Sequence, residues 1–160
     1  MIERVYTTGV YGKTEDTFFE QLDETQIEIF CDIRRRRGVR GSQYSFVNSK
    51  SLQQTLAKRN IIYRYVPELA PSRELREAQH AIDQEQGILK RARKELGEEF
   101  KLRYAREVLD LFDSDAFARS FDSKITRIVL FCVEGLPAAC HRSLVADRLQ
   151  DDWKIVVEHL

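Results

Sequence analysis

Apolar residues recur along this chain in two rhythms: short continuous runs, and longer stretches with one apolar residue every three or four positions. Residues 2 to 8, Ile-Glu-Arg-Val-Tyr-Thr-Thr, are rich in β-branched and aromatic types and run into Gly9-Val10-Tyr11-Gly12. This predicts a strand ending in a glycine-punctuated loop. Thr14 or Thr17 then caps a helix that carries Phe18, Phe19 and Leu22 on one face and Glu15, Asp16 and Glu20 in its early turns, where carboxylates favour a helix start. Residues 26 to 33 form a mostly apolar second strand that breaks into an arginine-rich segment, Arg34 to Gly41. Ser49 to Asn60 has Leu52, Leu56 and Ala57 at helical spacing, and Ile61 to Val66 is a third strand stopped by Pro67, since proline donates no ladder hydrogen bond.

From Ser72 to Asp122 the rhythm is helical. Leu75, Ala78, Ile82, Leu89, Ala92 and Leu96 recur at three- and four-residue steps, with Gly97 as a stop, and Phe100, Tyr104, Val108, Leu109 and Phe112 continue the pattern. The spacing predicts a charged helical pair inserted before the next strand. It reads as a hairpin covering the sheet, an oligomerisation arm, or a clamp built on Lys90, Arg91, Arg93 and Lys94. Arg127 to Val133 is the clearest buried strand, followed by Glu134-Gly135-Leu136-Pro137, a helix to about residue 149, and a last strand at Trp153 to Val157. Strands alternating with helices predict a three-layer α/β fold, with a mainly parallel sheet of about five strands and right-handed crossovers. No internal repeat or domain boundary interrupts residues 1 to 160, so one α/β domain with a helical insertion over about 72–122 is expected.

Composition refines this picture. Twenty-six Lys plus Arg balance 26 Asp plus Glu across the 160 residues, which excludes a uniformly basic nucleic-acid face and leaves local clusters as the informative feature. With 42% hydrophobic and 32% charged residues the chain is globular. The longest apolar run, Ile128 to Val133, is far short of the roughly 20 residues that span a bilayer, and Met1-Ile2-Glu3-Arg4 does not open a secretory signal. No membrane partner is expected. Three cysteines argue against a disulfide framework and point to a reducing, cytoplasmic setting.

In a parallel sheet ligands gather outside the carboxyl ends of the strands. Here those ends carry Gly9 to Gly12, Asp32 with Arg34 to Arg40, Tyr63 to Pro67, and Cys132 to Arg142. The last segment is the most informative. A strand leads through a Gly-Pro turn to a helix start that places Cys140, His141 and Arg142 where free backbone amides and the helix dipole favour an anion and a thiolate. Cys140 then reads as a nucleophile; or Cys132, Cys140 and His141 share a metal; or both cysteines are small buried residues and only His141 and Arg142 face a ligand. With only three soft ligands and no Cys-x-x-Cys pair, metal sharing is the weakest of these readings, so no metal ligands are assigned and no cofactor is implied.

The pattern Cys132-x-Glu134, two residues, Pro137, two residues, Cys140-His141-Arg142 resembles the signature of the domain-of-unknown-function family 488. Thr7-Thr8-Gly9 before a helix, Cys31-Asp32-Ile33-Arg34, Phe46, Tyr63 to Leu69 and His159 fit that family in the same order. Arg35-Arg36-Arg37-Gly38 departs from the small, proline-bearing segment usual after Asp-x-Arg. The resemblance implies a compact α/β fold with a polar pocket and no particular reaction.

The arginine loop supplies planar forks for phosphate, with Tyr44 and Phe46 as aromatic faces, or it is a solvated loop paired with acidic residues. Cys31 and Arg37 also match the Cys-x5-Arg spacing of tyrosine phosphatases, but the intervening residues contain no glycine and Asp32 would repel a phosphate. Together these strand ends predict a pocket for an anionic small molecule or nucleic-acid phosphate. Arg34 and Arg142 clamp the anion, Asp32 and Glu134 orient a sugar or act as acid and base, and His141 transfers protons. Cys140 is a candidate nucleophile, and Gly9, Tyr63 and His159 are further ligand-side candidates. Whether the chain is an enzyme stays open: hydrolysis or group transfer stands against a non-catalytic nucleic-acid-binding module, a cysteine-dependent phosphatase-like enzyme, or an interaction protein.

Overall fold

The structure, a computed structural model, describes residues 1–160 except for the side chain of Arg91, so the part of the basic clamp expected at Arg91 lies outside the described residues. Five strands, β1 (Arg4–Thr8), β2 (Ile29–Asp32), β3 (Ile62–Tyr65), β4 (Arg127–Phe131) and β5 (Val156–His159), form one all-parallel sheet in the order β3-β2-β4-β1-β5. Six α-helices complete the chain: α1 (Glu15–Glu24), α2 (Ser49–Lys58), α3 (Arg73–Glu85), α4 (Glu98–Glu107), α5 (Ser114–Arg119) and α6 (His141–Trp153). This is the three-layer α/β architecture that the alternating rhythms predict.

Successive strand side chains point to opposite faces, and in the central strands β1, β2 and β4 both faces are buried. Val5, Ile29, Cys31, Ile128 and Leu130 pack with Leu75 of α3, Phe100 and Tyr104 of α4, Phe117 of α5 and Val145 and Leu149 of α6. Tyr6, Phe30, Val129 and Phe131 pack with Phe18, Phe19 and Leu22 of α1 and Leu52 and Leu56 of α2. Phe18 is central to that second layer, with its ring centroid 5.1 to 6.2 Å from those of Phe19, Phe30, Phe46 and Phe131. Such aromatic contacts add to the transfer free energy of burying each ring. Thr14 is the cap of α1, and its side chain and that of Thr17 bond reciprocally to each other's backbone amides, a capping-box arrangement.

Two predicted elements move. The helical rhythm from Leu75 to Leu96 is not one helix: α3 ends at Glu85, Gly87 adopts φ +66°, and Leu89 is 78% exposed. Gly97 is the N-cap of α4 rather than a stop. The chain leaves the helix because residues 88 to 96 are tied elsewhere: Leu96 N–H donates to Ala138 O at 2.9 Å, and Arg93 reaches Asp83, Glu134 and Ala139. At the C-terminus α6 runs to Trp153 and closes through Lys154 in the left-handed region, which displaces the last strand to Val156–His159. Among the described residues no helix is long and apolar enough to cross a membrane.

Candidate functional site

β1 and β4 are neighbours, yet the helices that follow them cover opposite faces, α1 the aromatic layer and α6 the other. The loops after these strands therefore diverge and open a crevice at the carboxyl edge, the topological switch point of the sheet. Three details keep the loops together beneath it. Val10 and Tyr11 N–H both donate to Val133 O at 3.1 Å. Gly9 has no room for a side chain, since a Cβ there would lie 1.9 Å from Glu134 O. Arg142, fully buried in the first turn of α6, donates from Nη1 to Glu134 O at 2.5 Å and from Nη2 to Gly135 O at 2.9 Å.

Above this frame lies a cavity of about 540 Å³. Its floor is Cys132, Glu134, Cys140 and His141, all at most 6% exposed. Cys132 Sγ donates to Glu134 Oε2 at 3.0 Å, Cys140 Sγ lies 3.6 Å from His141 Nδ1, and His141 Nε2 lies 3.1 Å from Ile33 O. A carbonyl only accepts, so Nε2 carries its proton and Nδ1 is the nitrogen turned toward the sulfurs. The walls come from the arginine loop (Arg34, Arg35, Arg36, Gly38, Val39, Arg40), from one side of α3 (Arg76, Gln79, His80, Asp83), and from Lys90 and Arg93 in the segment that leaves α3.

Charge is unevenly spread over this lining. Burial works against the Glu134 carboxylate, but Lys90 at 3.3 Å, the Cys132 thiol and Arg93 at 3.4 Å outweigh it and hold its pKa down at about 2. Burial likewise opposes the charged form of His141, yet Cys132 and Glu134 leave its pKa raised. Burial pushes the Cys132 thiol well above the usual range, helped by the neighbouring Cys140 thiol. Arg76 has a depressed pKa from burial and from its neighbours Arg36 and Arg35.

Of the residues singled out by sequence, Arg34, Glu134, Cys140 and His141 line the cavity together. Asp32 lies beneath it, with Arg34 Nε and Nη2 donating to its two oxygens at 2.8 and 2.7 Å and Tyr63 Oη donating to Oδ2 at 2.8 Å. Asp32 and Tyr63 thus position Arg34, and Arg142 and Gly9 position the Glu134 loop. His159 is outside the group, its Nδ1 2.7 Å from Thr7 Oγ1 on the far side of β1. Sequence patterning passes over Glu77 and, on the cavity side of the same helix, Arg76, Gln79, His80 and Asp83. The three-, four- and seven-residue spacing of these last four places them on one face of α3, a polar stripe that an apolar count ignores.

Near the same edge Lys13 Nζ donates to Thr8 Oγ1, Gln21 Oε1 and Leu160 O at 3.1, 2.7 and 3.0 Å. Burial, with Arg142 nearby, lowers its pKa from 10.5 to about 8. Between these two values the unfolded chain holds a proton that the folded one has lost, so this contribution to stability is complete above 10.5 and is lost as the pH falls through 8. Comparing urea unfolding of wild type and Lys13→Met across that window, the difference should move toward wild type with rising pH by on the order of 1 kcal/mol after solvent screening. An unchanged difference would refute it.

The fold and the site together define a three-layer α/β protein with a cationic cavity at the switch point of a parallel sheet. The chain belongs to the family described as Domain of unknown function DUF488, whose model matches residues 14–149. Neither a curated protein nor a solved structure matches it.

Proposed function

We propose that the cavity binds a phosphate-bearing small molecule of nucleotide size. The supporting observation is the concentration of cations in a chain with no net charge. Seven basic side chains, Arg34, Arg35, Arg36, Arg40, Arg76, Lys90 and Arg93, line the cavity against three acidic ones, Glu77, Asp83 and Glu134. Among the described residues none of Arg35, Arg36, Arg40 and Arg76 has a carboxylate within 4.0 Å, and Arg36 and Arg76 meet Glu77 only at longer range. Arg34 Nη1 and Arg76 Nε are buried without a hydrogen-bond partner. A buried donor left unpaired costs about 1–3 kcal/mol, more when charged, and an anion supplying its oxygens to these groups would recover that cost. The cavity volume falls in the range of roughly 300–1,000 Å³ usual for small-molecule sites. An enclosed ligand suits this shape better than a nucleic-acid strand laid across a surface. With buried thiols, an imidazole and a carboxylate below the cations, the reaction class assigned to the site is hydrolysis or group transfer at a phosphate or glycosidic bond.

Calorimetric titration with nucleoside mono-, di- and triphosphates and with inorganic phosphate tests the binding. Arg36→Ala and Arg76→Ala should each weaken the best ligand by about tenfold or more, the value of one charge-assisted hydrogen bond. Arg103→Ala, on the outer side of α4 and paired with Glu107, should not. No binding by wild type, or equal binding by all three variants, would overturn the proposal.

A further inference from the structure

We infer that the cavity floor is a zinc site, with Cys132, Cys140 and His141 as its three protein ligands and a fourth position open to the cavity. The two sulfurs and a ring nitrogen of His141 all lie within 4.8 Å of one another, and all three residues are buried. Zinc bound tetrahedrally, with Zn–S near 2.3 Å and Zn–N near 2.0 Å, requires ligand-to-ligand edges of roughly 3.5 to 3.8 Å. The edge from Cys140 Sγ to His141 Nδ1 is already 3.6 Å, and the two edges from Cys132 Sγ are at most 4.8 Å, so a small closure of the three ligands completes the set.

The surroundings agree with this assignment. A zinc-bound histidine characteristically donates its other ring N–H to a carbonyl or carboxylate, which fixes the tautomer and aims the lone pair at the metal. His141 Nε2 has Ile33 O at 3.1 Å, and Nδ1 faces the sulfurs. The Tyr104 ring, 5.5 Å from the imidazole and fixed by its hydroxyl donating to Leu69 O at 2.6 Å, packs against the His141 ring. Cys140 occupies the N-cap of α6 but makes no capping bond with its side chain; its sulfur is turned to His141 instead. Two thiolates and an imidazole select zinc among the common divalent ions, and three protein ligands with one open position is the arrangement of catalytic rather than structural zinc. Both cysteines bind as thiolates, their two protons leaving to solvent. A water, or an oxygen of a ligand held in the cavity, completes the tetrahedron.

The site stands whether or not the cavity takes a phosphate, and its test reads metal rather than anion. The full chain is purified under a phosphine reductant, stripped with a chelator, and titrated with Zn²⁺ and separately with Co²⁺. Expected are one metal per chain by elemental analysis and, for cobalt, the intense visible bands of a tetrahedral site with thiolate-to-metal charge transfer. Cys132→Ser and Cys140→Ser should weaken binding at least a hundredfold, whereas Cys31→Ser, whose sulfur is buried in the other core layer beside Ile29 and Leu130, should leave it unchanged. The wild-type cobalt spectrum needs no variant to fold. Absence of stoichiometric metal in the reduced wild type, or a cobalt spectrum without thiolate charge transfer, overturns the inference. So does binding unchanged in both serine variants. Loss of phosphate binding in Arg36→Ala or Arg76→Ala with metal retained separates the two proposals.

Discussion

Replacing Asp32 by alanine should lower the free energy of unfolding by about 3–5 kcal/mol, the cost of leaving one charge of a buried pair uncompensated. Asp32 is fully buried and Arg34 is 3% exposed, and the guanidinium bridges both carboxylate oxygens while Nη2 also reaches Val47 O at 3.0 Å. The same carboxylate accepts from the half-buried Tyr63 hydroxyl, so the substitution strips both the buried guanidinium and this hydroxyl of an acceptor. The Arg34 guanidinium also lies 4.6 Å from the Phe131 ring centroid, and that stacking cannot replace an anion. Urea unfolding measures the loss. The double variant Asp32→Ala, Arg34→Met should recover most of it, because it removes the buried charge together with its partner. A loss of less than about 1 kcal/mol in the single variant, within the range of exposed pairs, would mean that the pair is solvated.

Arg142→Ala should cost about as much by another route, on the order of 4 kcal/mol. It empties the volume of the largest fully buried side chain among the described residues and strips the Glu134 and Gly135 carbonyls of their donors. The cavity left behind and the unpaired acceptors each contribute destabilisation of a few kcal/mol at most. Arg142→Lys should rescue little, because one ammonium on a flexible stem does not reproduce a planar fork across two carbonyls. Thermal unfolding of both variants checks this. A lysine variant as stable as wild type would show that charge alone is what the position supplies.

These two arginines mark where the sequence stops being legible. The strands are readable because a parallel sheet buried on both faces demands apolar runs, and Ile128 to Phe131 and Ile29 to Cys31 supply them. The switch-point rule then points to the ends of β1, β2 and β4, where the cavity opens. Partner choice inside the site is another matter. Sequence places Asp32, Arg34 and Arg142 at the carboxyl edge of the sheet but does not encode that Arg34 folds back on Asp32 or that Arg142 is spent on carbonyls. Both outcomes depend on the path of loops that meet only in three dimensions. The segment from Ile88 to Leu96 is a similar case. Its apolar residues keep a helical period, but the Asp83–Arg93–Glu134 network and the Leu96–Ala138 hydrogen bond pull it across the cavity, a tertiary interaction overriding local propensity. Arg76 and His80 reach the cavity only because α3 is docked beside the arginine loop.

The zero net charge of the chain thus conceals a strong local imbalance: acidic residues balance the exposed helical surfaces while the cavity keeps an excess of cations. The most direct measurement is a crystal structure of the protein grown with a nucleoside monophosphate. The account predicts the phosphate inside the cavity, within hydrogen-bonding distance of Arg76 and of Arg35 or Arg36. A nucleotide bound elsewhere on the surface, or an empty cavity at saturating ligand, would contradict it.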